Sequence, residues 1–512
     1  MSLARNAAAS QSPSQASHYD RHRPEQTLLY QLVEQHYPIF RTSLESQGQN
    51  LPLYIQQEFE AFLECGRLEY GFLRVRCEDC HHERLVAFSC KKRGFCPSCG
   101  ARRMAESSAL LVDEVFPEVP IRQWVLSFPF QLRFLLARYS ELVGEVLSIV
   151  YRALSTQLIK KAGYTKATAQ TGSVTLIQRF GSALNLNVHF HMLFLDGVYV
   201  EDDYGKIRFH RIKAPTQTEL NELVNTLSHR IARFLEKRGL LERDAENTWL
   251  TLEEEEGDAL TQWHGASVTY RIATGPQQGR KVFTLQTLPN REDDDKSYGQ
   301  VAKVAGFSLH AGVVAEAHQC DKLERLCRYV SRPAVSRKRL SLTGDGKVRY
   351  ELKTPYRNGT THVIFEPLDF IAKLAALVPK AWVNLTRFHG VFAPNSKYRG
   401  LVTPAKRGKK TKGSTPVDTQ WRDKTPEERH RAMTWMQRLK RVFGIDIETC
   451  ERCGGHVKVI ASIEDPTVIE QILKHLKQKV AATQQTNDYT QPLERAPPEP
   501  GLFDPSQTRL FG

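Results

Sequence analysis

Two histidines, His189 and His191, flank a phenylalanine inside the apolar run "LNLNVHFHMLFLDGVY" at 184–199. In an extended strand residues i and i+2 share a face, so both imidazoles project together while Val188, Phe190, Met192 and Phe194 pack on the other side. Two parallel imidazoles make a poor core pair and half of a metal site; the alternative is a pair of satisfied core histidines. A second group lies in "DKLERLCRYVSRPAVSRKRL" at 321–340. Leu323, Leu326, Cys327 and Val330 follow the i, i+3, i+4, i+7 spacing of a buried helical stripe. Tyr329 falls about 110° from its centre, among Lys322, Arg325 and Arg328, with Arg332, Arg337, Lys338 and Arg339 close behind. Such cations favour the phenolate and stabilise a phosphodiester in reaction. A metal that polarises a scissile phosphate and a tyrosine that attacks phosphorus would leave a 5′-phosphotyrosyl link, which conserves the bond for rejoining. An ordinary amphipathic surface tyrosine is the competing reading.

The cysteines supply a third group. Ten occur, six of them between positions 65 and 99. "CEDC" (Cys77, Cys80) and "CPSC" (Cys96, Cys99) are knuckles separated by 15 residues. That spacing predicts a single four-thiolate zinc site, structural because four protein ligands leave no open position. Cys65, Cys90, His81 and His82 are near enough in sequence to substitute or to join a second site. "CERCGGH" at 450–456 is a half-site with His456 as a third ligand, whose partner could be Cys65 or Cys90. Lys91, Lys92, Arg93, Arg102 and Arg103 give the zinc module a basic face suited to phosphate contacts or simply to solvent.

The elements that must position these groups form an α+β pattern. Helical periodicity at 25–64 leads into the zinc module. Strands are expected at 122–129, at 173–180 and across the two histidines, with a long helical stretch over 132–162 and a helix from a Thr218 cap to Gly239. A hairpin surrounds "PYRNGTT" and a helix follows it. The expected domains are a disordered leader at 1–24, a helical and zinc-binding domain at 25–115 and a catalytic domain at 120–400. A basic linker at 401–425, a helical CxxC segment at 426–484 and a disordered tail at 485–512 complete the chain. Between Lys397 and Lys412 lie seven basic residues, including Lys409 and Lys410, and no acidic one; they suit a nucleic-acid arm or a solubilising linker.

Lys+Arg number 71 against 57 Asp+Glu, a net charge of +14, which favours an anionic partner. No stretch approaches 18 consecutive apolar residues and the first twenty lack the apolar core of a secretory signal. The expectation is therefore a cytoplasmic, nucleoid-associated bacterial protein with no membrane partner, in which cysteines serve as metal ligands or buried thiols.

Taken with "CEDCHHERLVAFSCKKRGFCPSCGARRM", "NVHFHMLFLDGVY", "LERLCRYVSRPAVSRKRL" and "LTRFHGVFAPNSKYR", the chain from about 25 to 460 resembles the rolling-circle transposases of the insertion sequence 91 family and their common-region relatives, within the HUH endonuclease superfamily. The resemblance implies a ferredoxin-like or RNA-recognition-like antiparallel sheet with helices on one face, preceded by a small zinc-ribbon-like domain. It also implies cutting and rejoining of single-stranded DNA at insertion-sequence ends. Some members carry two tyrosines four residues apart; here those positions are Arg325 and Pro333, which points to a single-tyrosine enzyme. The family's third polar metal ligand would be Gln178 on the neighbouring strand or Asn187. Mg²⁺ or Mn²⁺ suits such a mixed imidazole and amide site, and His310 reads as a strand-core residue. Gln507, Leu510 and Phe511 are similar to short peptides that dock on the replication sliding clamp; a homo-oligomer and target DNA are further expected partners. Two other functions fit the same residues: an HUH replication initiator or relaxase, and a zinc-dependent DNA-binding regulator without catalysis.

Overall fold

The computed structural model describes residues 17–18, 23–243, 248–250, 259–288, 301–405, 445–446 and 448–484. The chain divides into two compact bodies, one of residues 1–22, 66–88 and 428–499, the other of 23–65, 89–427 and 500–512. Residues 89–427, on both sides of position 115, belong to the larger body, and residues 428–499 to the smaller one. Of the leader at 1–24 only residues 17–18 and 23–24 are described, and Lys409, Lys410 and the 485–512 tail with its clamp-like residues lie outside the described residues.

The larger body is built on a six-stranded sheet. Its strands are β1 (Ile121–Ser127), β2 (Gly172–Phe180), β3 (Leu186–Leu195), β4 (Val301–Val304), β5 (Phe307–Ala315) and β6 (Thr386–Gly390), in the order β4-β5-β1-β3-β2-β6. Every neighbouring pair is antiparallel. The four strands β5-β1-β3-β2 and the helices between them give the β-α-β-β-α-β order of a ferredoxin-like core. The chain is thus α+β, as expected.

Period-two alternation sorts the side chains of β3. Val188, Phe190, Met192 and Phe194 enter a core shared with Leu142, Val146, Leu147 and Val150 of a long helix (Ser140–Lys161) and with Leu220, Leu223, Val224 and Leu227 of another (Gln217–Lys237). The second begins at Thr216, whose hydroxyl accepts from the Glu219 amide while Glu219 reaches back, a capping box. Among the described residues the Ser140–Lys161 helix alone is, by length and composition, apolar enough to cross a membrane, a test that buried core helices also pass. Its apolar stripe is buried against the sheet, where each large side chain contributes about 1.5–3 kcal/mol.

The opposite face of the sheet is also covered, which a sheet with helices on one face would not show. Leu193 and Leu195 of β3 and Val174 and Leu176 of β2 pack on Leu323, Leu326, Cys327 and Val330. These lie on helix α2 (Cys320–Val330), the expected stripe, and α2 ends before Pro333, which has no N–H to continue a helix. Helix α1 (Pro97–Leu110), just after the "CPSC" knuckle's first cysteine, touches α2.

The smaller body contains a three-stranded antiparallel sheet. Its middle strand Phe72–Cys77 pairs with Glu83–Ala87 on one side and with Val457–Ile463 on the other. Helix Pro466–Gln484 follows.

Candidate active site and metal centres

On β3, His189 lies opposite Gln178 of β2 and Ser127 of β1, and His191 opposite Leu176 and Val125. Both imidazoles are buried, at 3% and 0% exposure, and their Nε2 atoms stand 3.2 Å apart. The outer nitrogens are held. His189 Nδ1 lies 2.8 Å from the backbone oxygen of Asn187, and His191 Nδ1 lies 2.9 Å from the Gln123 side-chain amide. The Asn187 carbonyl accepts from His189 Nδ1–H and leaves that Nε2 lone pair for a metal. His191 is left the same way when the Gln123 amide, whose nitrogen faces Nδ1 here, is turned to present its oxygen. Burial pushes His189 down to about 4, with Arg332 and Arg133 adding repulsion against the Asn187 bond, and pushes His191 well below 6.5 together with His189, Arg332 and His310. Both rings are therefore neutral near pH 7, the form that binds metals.

Gln178 is 4% exposed, and its amide nitrogen donates to the Val330 carbonyl at 3.2 Å, while its buried oxygen has no protein partner. The Asn187 side-chain oxygen is likewise buried and unpartnered. Two converging imidazole nitrogens and an orphaned amide oxygen on the adjacent strand form a donor set that fits a divalent cation. His310 shares this face but pairs with Val125, which pairs with His191, so it stands two strand spacings away, about 10 Å.

Tyr329 comes from the other layer. Its ring stands edge-on to His191, with centroids 6.0 Å apart at 88°. Two cations cap it: the Arg332 guanidinium carbon is 4.2 Å and Lys353 Nζ 4.5 Å from its centroid. Arg332 also donates to the Tyr329 carbonyl at 3.1 Å and sits 5.6 Å from the Phe180 ring. The cations over the phenol thus come from beyond the helix. Arg328 pairs with buried Glu324 on α2 at 2.5 Å. Arg325 and Lys338 are exposed, Lys322 and Arg337 half-buried, and Arg339 donates to the Glu351 carbonyl and lies 4.7 Å over Tyr350.

The thiols are grouped otherwise than the spacing suggested. Cys77, Cys80, Cys96 and Cys99 do not form one site. Cys96 and Cys99 meet Cys65 and Cys90, and Cys77 and Cys80 meet Cys450 and Cys453, each set with all sulfurs within 4.8 Å of one another. Sheet register explains the exchange: Cys77 pairs with Val457, which brings "CERC" against "CEDC". Cys65 ends one helix and Cys96 begins α1, so those thiols meet in the larger body. There the sulfur separations are 3.4 Å (Cys90–Cys99), 3.7 Å (Cys65–Cys99) and 3.8 Å (Cys65–Cys96). Thiolates ~2.3 Å from a tetrahedral zinc would stand ~3.8 Å apart, so the set fits a closed structural site.

Gln123 and Lys353 carried no signal in the sequence. Gln123 is one polar residue in the strand "IRQWVLS", and Lys353 follows a strand of a separate hairpin (Val348–Glu351 with Thr360–Phe365). Topology alone brings them to His191 and Tyr329.

Family models match the chain in two segments. Residues 172–399 match one described as "Putative transposase", and residues 32–128 match one described as "Transposase zinc-binding domain", of the insertion sequence 91 type. No curated protein and no solved structure matches significantly. The first segment carries His189, His191 and Tyr329, and the second carries the Cys65, Cys90, Cys96 and Cys99 cluster that fits zinc. The chain is an insertion sequence 91-family transposase with an N-terminal zinc-binding domain.

Proposed function

We propose that this transposase nicks and rejoins single-stranded DNA at insertion-sequence ends through a covalent 5′-phosphotyrosine intermediate. The observation that carries the reading is Tyr329 standing edge-on to His191, whose Nε2 lies 3.2 Å from that of His189. His189 and His191, with Gln178 as third ligand, would hold Mg²⁺ or Mn²⁺, which when bound polarises the scissile phosphate. The Tyr329 phenolic oxygen bonds to phosphorus as the P–O3′ bond breaks, the phenolic proton passes to solvent and the 3′-oxygen leaves to become a hydroxyl. Arg332 and Lys353 place positive charge where the pentavalent phosphorane builds negative charge. Rejoining is the reverse displacement by a 3′-hydroxyl. Arg325 on α2 and Lys338 and the other cations after it grip the backbone, and Lys409 and Lys410 would extend that grip. With Arg325 and Pro333 four residues either side of Tyr329, a single tyrosine carries the reaction.

The test is incubation with end-labelled single-stranded end DNA and Mn²⁺, followed by a denaturing gel. Label should migrate with wild-type protein and be absent from Tyr329→Phe and from the His189→Ala/His191→Ala double variant, while all three still bind DNA. Covalent label on Tyr329→Phe would overturn the assignment. DNA binding without any covalent label in the wild type would favour a non-catalytic regulator.

A further inference from the structure

We propose that Cys77, Cys80, Cys450 and Cys453 form a second structural zinc site, distinct from the Cys65, Cys90, Cys96 and Cys99 centre, so that the protein holds two zinc ions per chain. Neither matched segment contains Cys450 or Cys453, which lie past residue 399.

Three observations support the site. The first is sulfur geometry: Cys77 and Cys453 are 3.4 Å apart and Cys80 and Cys450 3.5 Å, too far for disulfides at ~2.05 Å and close to the spacing that zinc imposes.

The second is that both loops are shaped as knuckles and fitted to each other. In the "CERCGG" turn the Gly454 amide donates to the Cys450 carbonyl and the Gly455 amide to Cys453 Sγ at 3.4 Å. Gly454 has φ +77°, and a Cβ at Gly455 would stand 2.0 Å from Asp79 Oδ2 of the "CEDC" loop, so a side chain there would push the Asp79 carboxylate aside. Across the seam the Glu78 amide donates to the His456 carbonyl at 2.9 Å, Lys458 pairs with Glu78 at 2.9 Å and His82 meets Glu451 at 3.0 Å.

The third is energetic. Among the described residues, the buried core at this seam is Val75, Cys77, Cys450 and Val457, half of it the thiols themselves. So small an apolar cluster adds little against the entropy of ordering the two knuckles, and four thiols packed without a metal would add no compensating bond. Zinc binding, on the order of 10–16 kcal/mol in small modules, supplies what the core lacks. The donor set is four soft thiolates with no carboxylate, which selects zinc over Mg²⁺ or Ca²⁺.

The test is zinc stoichiometry of the full chain purified without chelator, measured by elemental analysis. Wild type should hold two zinc ions, and Cys450→Ser/Cys453→Ser and Cys77→Ser/Cys80→Ser one each. The quadruple variant should also hold one, because the two knuckles share a single ion. A wild-type count of one, or two ions retained in Cys450→Ser/Cys453→Ser, would overturn the proposal. Native alkylation of the wild type gives a readout that needs no variant. Cys450 and Cys453 should resist iodoacetamide until a chelator is added, while exposed Cys320 reacts at once; equal rates for all three would reject the site. None of these outcomes depends on DNA cleavage, so the proposal stands or falls apart from the nicking reading.

Discussion

Gly100 on α1 and Pro333 after α2 meet so closely that a Cβ on the glycine would stand 2.6 Å from Cβ of the proline. The contact links the helix that begins at zinc-cluster residue Cys96 to the turn four residues beyond Tyr329. Gly100→Ala should therefore push the α2 exit away. Overpacking of this kind costs about 1–3 kcal/mol, and a shift of about 1 Å at a reacting group can cost about 100-fold in rate. The expected outcome is a lowered melting temperature with a larger fall in covalent-complex yield, zinc content unchanged. Normal yield in Gly100→Ala would show that the zinc helix does not set the tyrosine.

Gln123 should act on His191 alone. Its amide nitrogen stands 2.9 Å from Nδ1, and the flipped amide, with its oxygen accepting from Nδ1–H, would fix the tautomer that leaves Nε2 for a metal. Gln123→Leu is expected to weaken Mn²⁺ dependence of nicking about 10- to 100-fold, the usual cost of losing such a partner, and Gln123→Glu should recover most of it. The readout is the half-saturating Mn²⁺ concentration, which a merely destabilised variant would not move.

Arg332 and Lys353 should differ in consequence. Arg332 is sandwiched between Tyr329 and Phe180 and tied to the Tyr329 carbonyl, whereas Lys353 presents a single ammonium over the ring. Arg332→Ala is expected to slow covalent attachment about 100- to 1000-fold, in the range for a lost transition-state donor. Lys353→Met should slow it less. Single-turnover kinetics on labelled DNA would separate the two, and equal effects would argue against Arg332 as the principal group on the phosphate.

His264 predicts an acid-labile fold. It is 3% exposed, and burial, with repulsion from Arg179, Lys380 and Arg138, pushes it down to about 3. Its folded value lies below the unfolded 6.5, so between these limits the unfolded chain binds the extra proton. Its contribution is complete above about 6.5 and is lost as pH falls toward 3, by up to ~1.4 kcal/mol per pH unit. Urea midpoints measured from pH 7 to 5 should fall less steeply in His264→Leu than in wild type. Parallel slopes would place His264 in water.

Much of the site was legible because it rests on local periodicity. Alternation along β3 separated His189 and His191 from Val188 and Phe190, and the Leu323 to Val330 stripe identified the face of α2 that meets the sheet. Gln178 was legible for the same reason, as the direct cross-strand partner of His189. What periodicity does not encode is which distant segments become neighbours. Lys353 reaches Tyr329 from a separate hairpin, and Gln123 reaches His191 across a strand boundary. The cysteine grouping failed similarly: spacing paired the two nearest knuckles, whereas register between Phe72–Cys77 and Val457–Ile463 paired one with a segment far along the chain.

That register has a consequence for synthesis. The hairpin bearing Cys77 and Cys80 leaves the ribosome long before residues 450–463, and on a nascent chain its middle strand has one open edge and its thiols no partners. This body can close only once translation has passed the C-terminal knuckle. Prematurely terminated chains should then carry an unprotected Cys77–Cys80 pair, marking them for proteolysis while complete molecules escape. Alkylation of stalled nascent chains, with protection of Cys77 appearing only after residue 463 has emerged, would reveal this checkpoint.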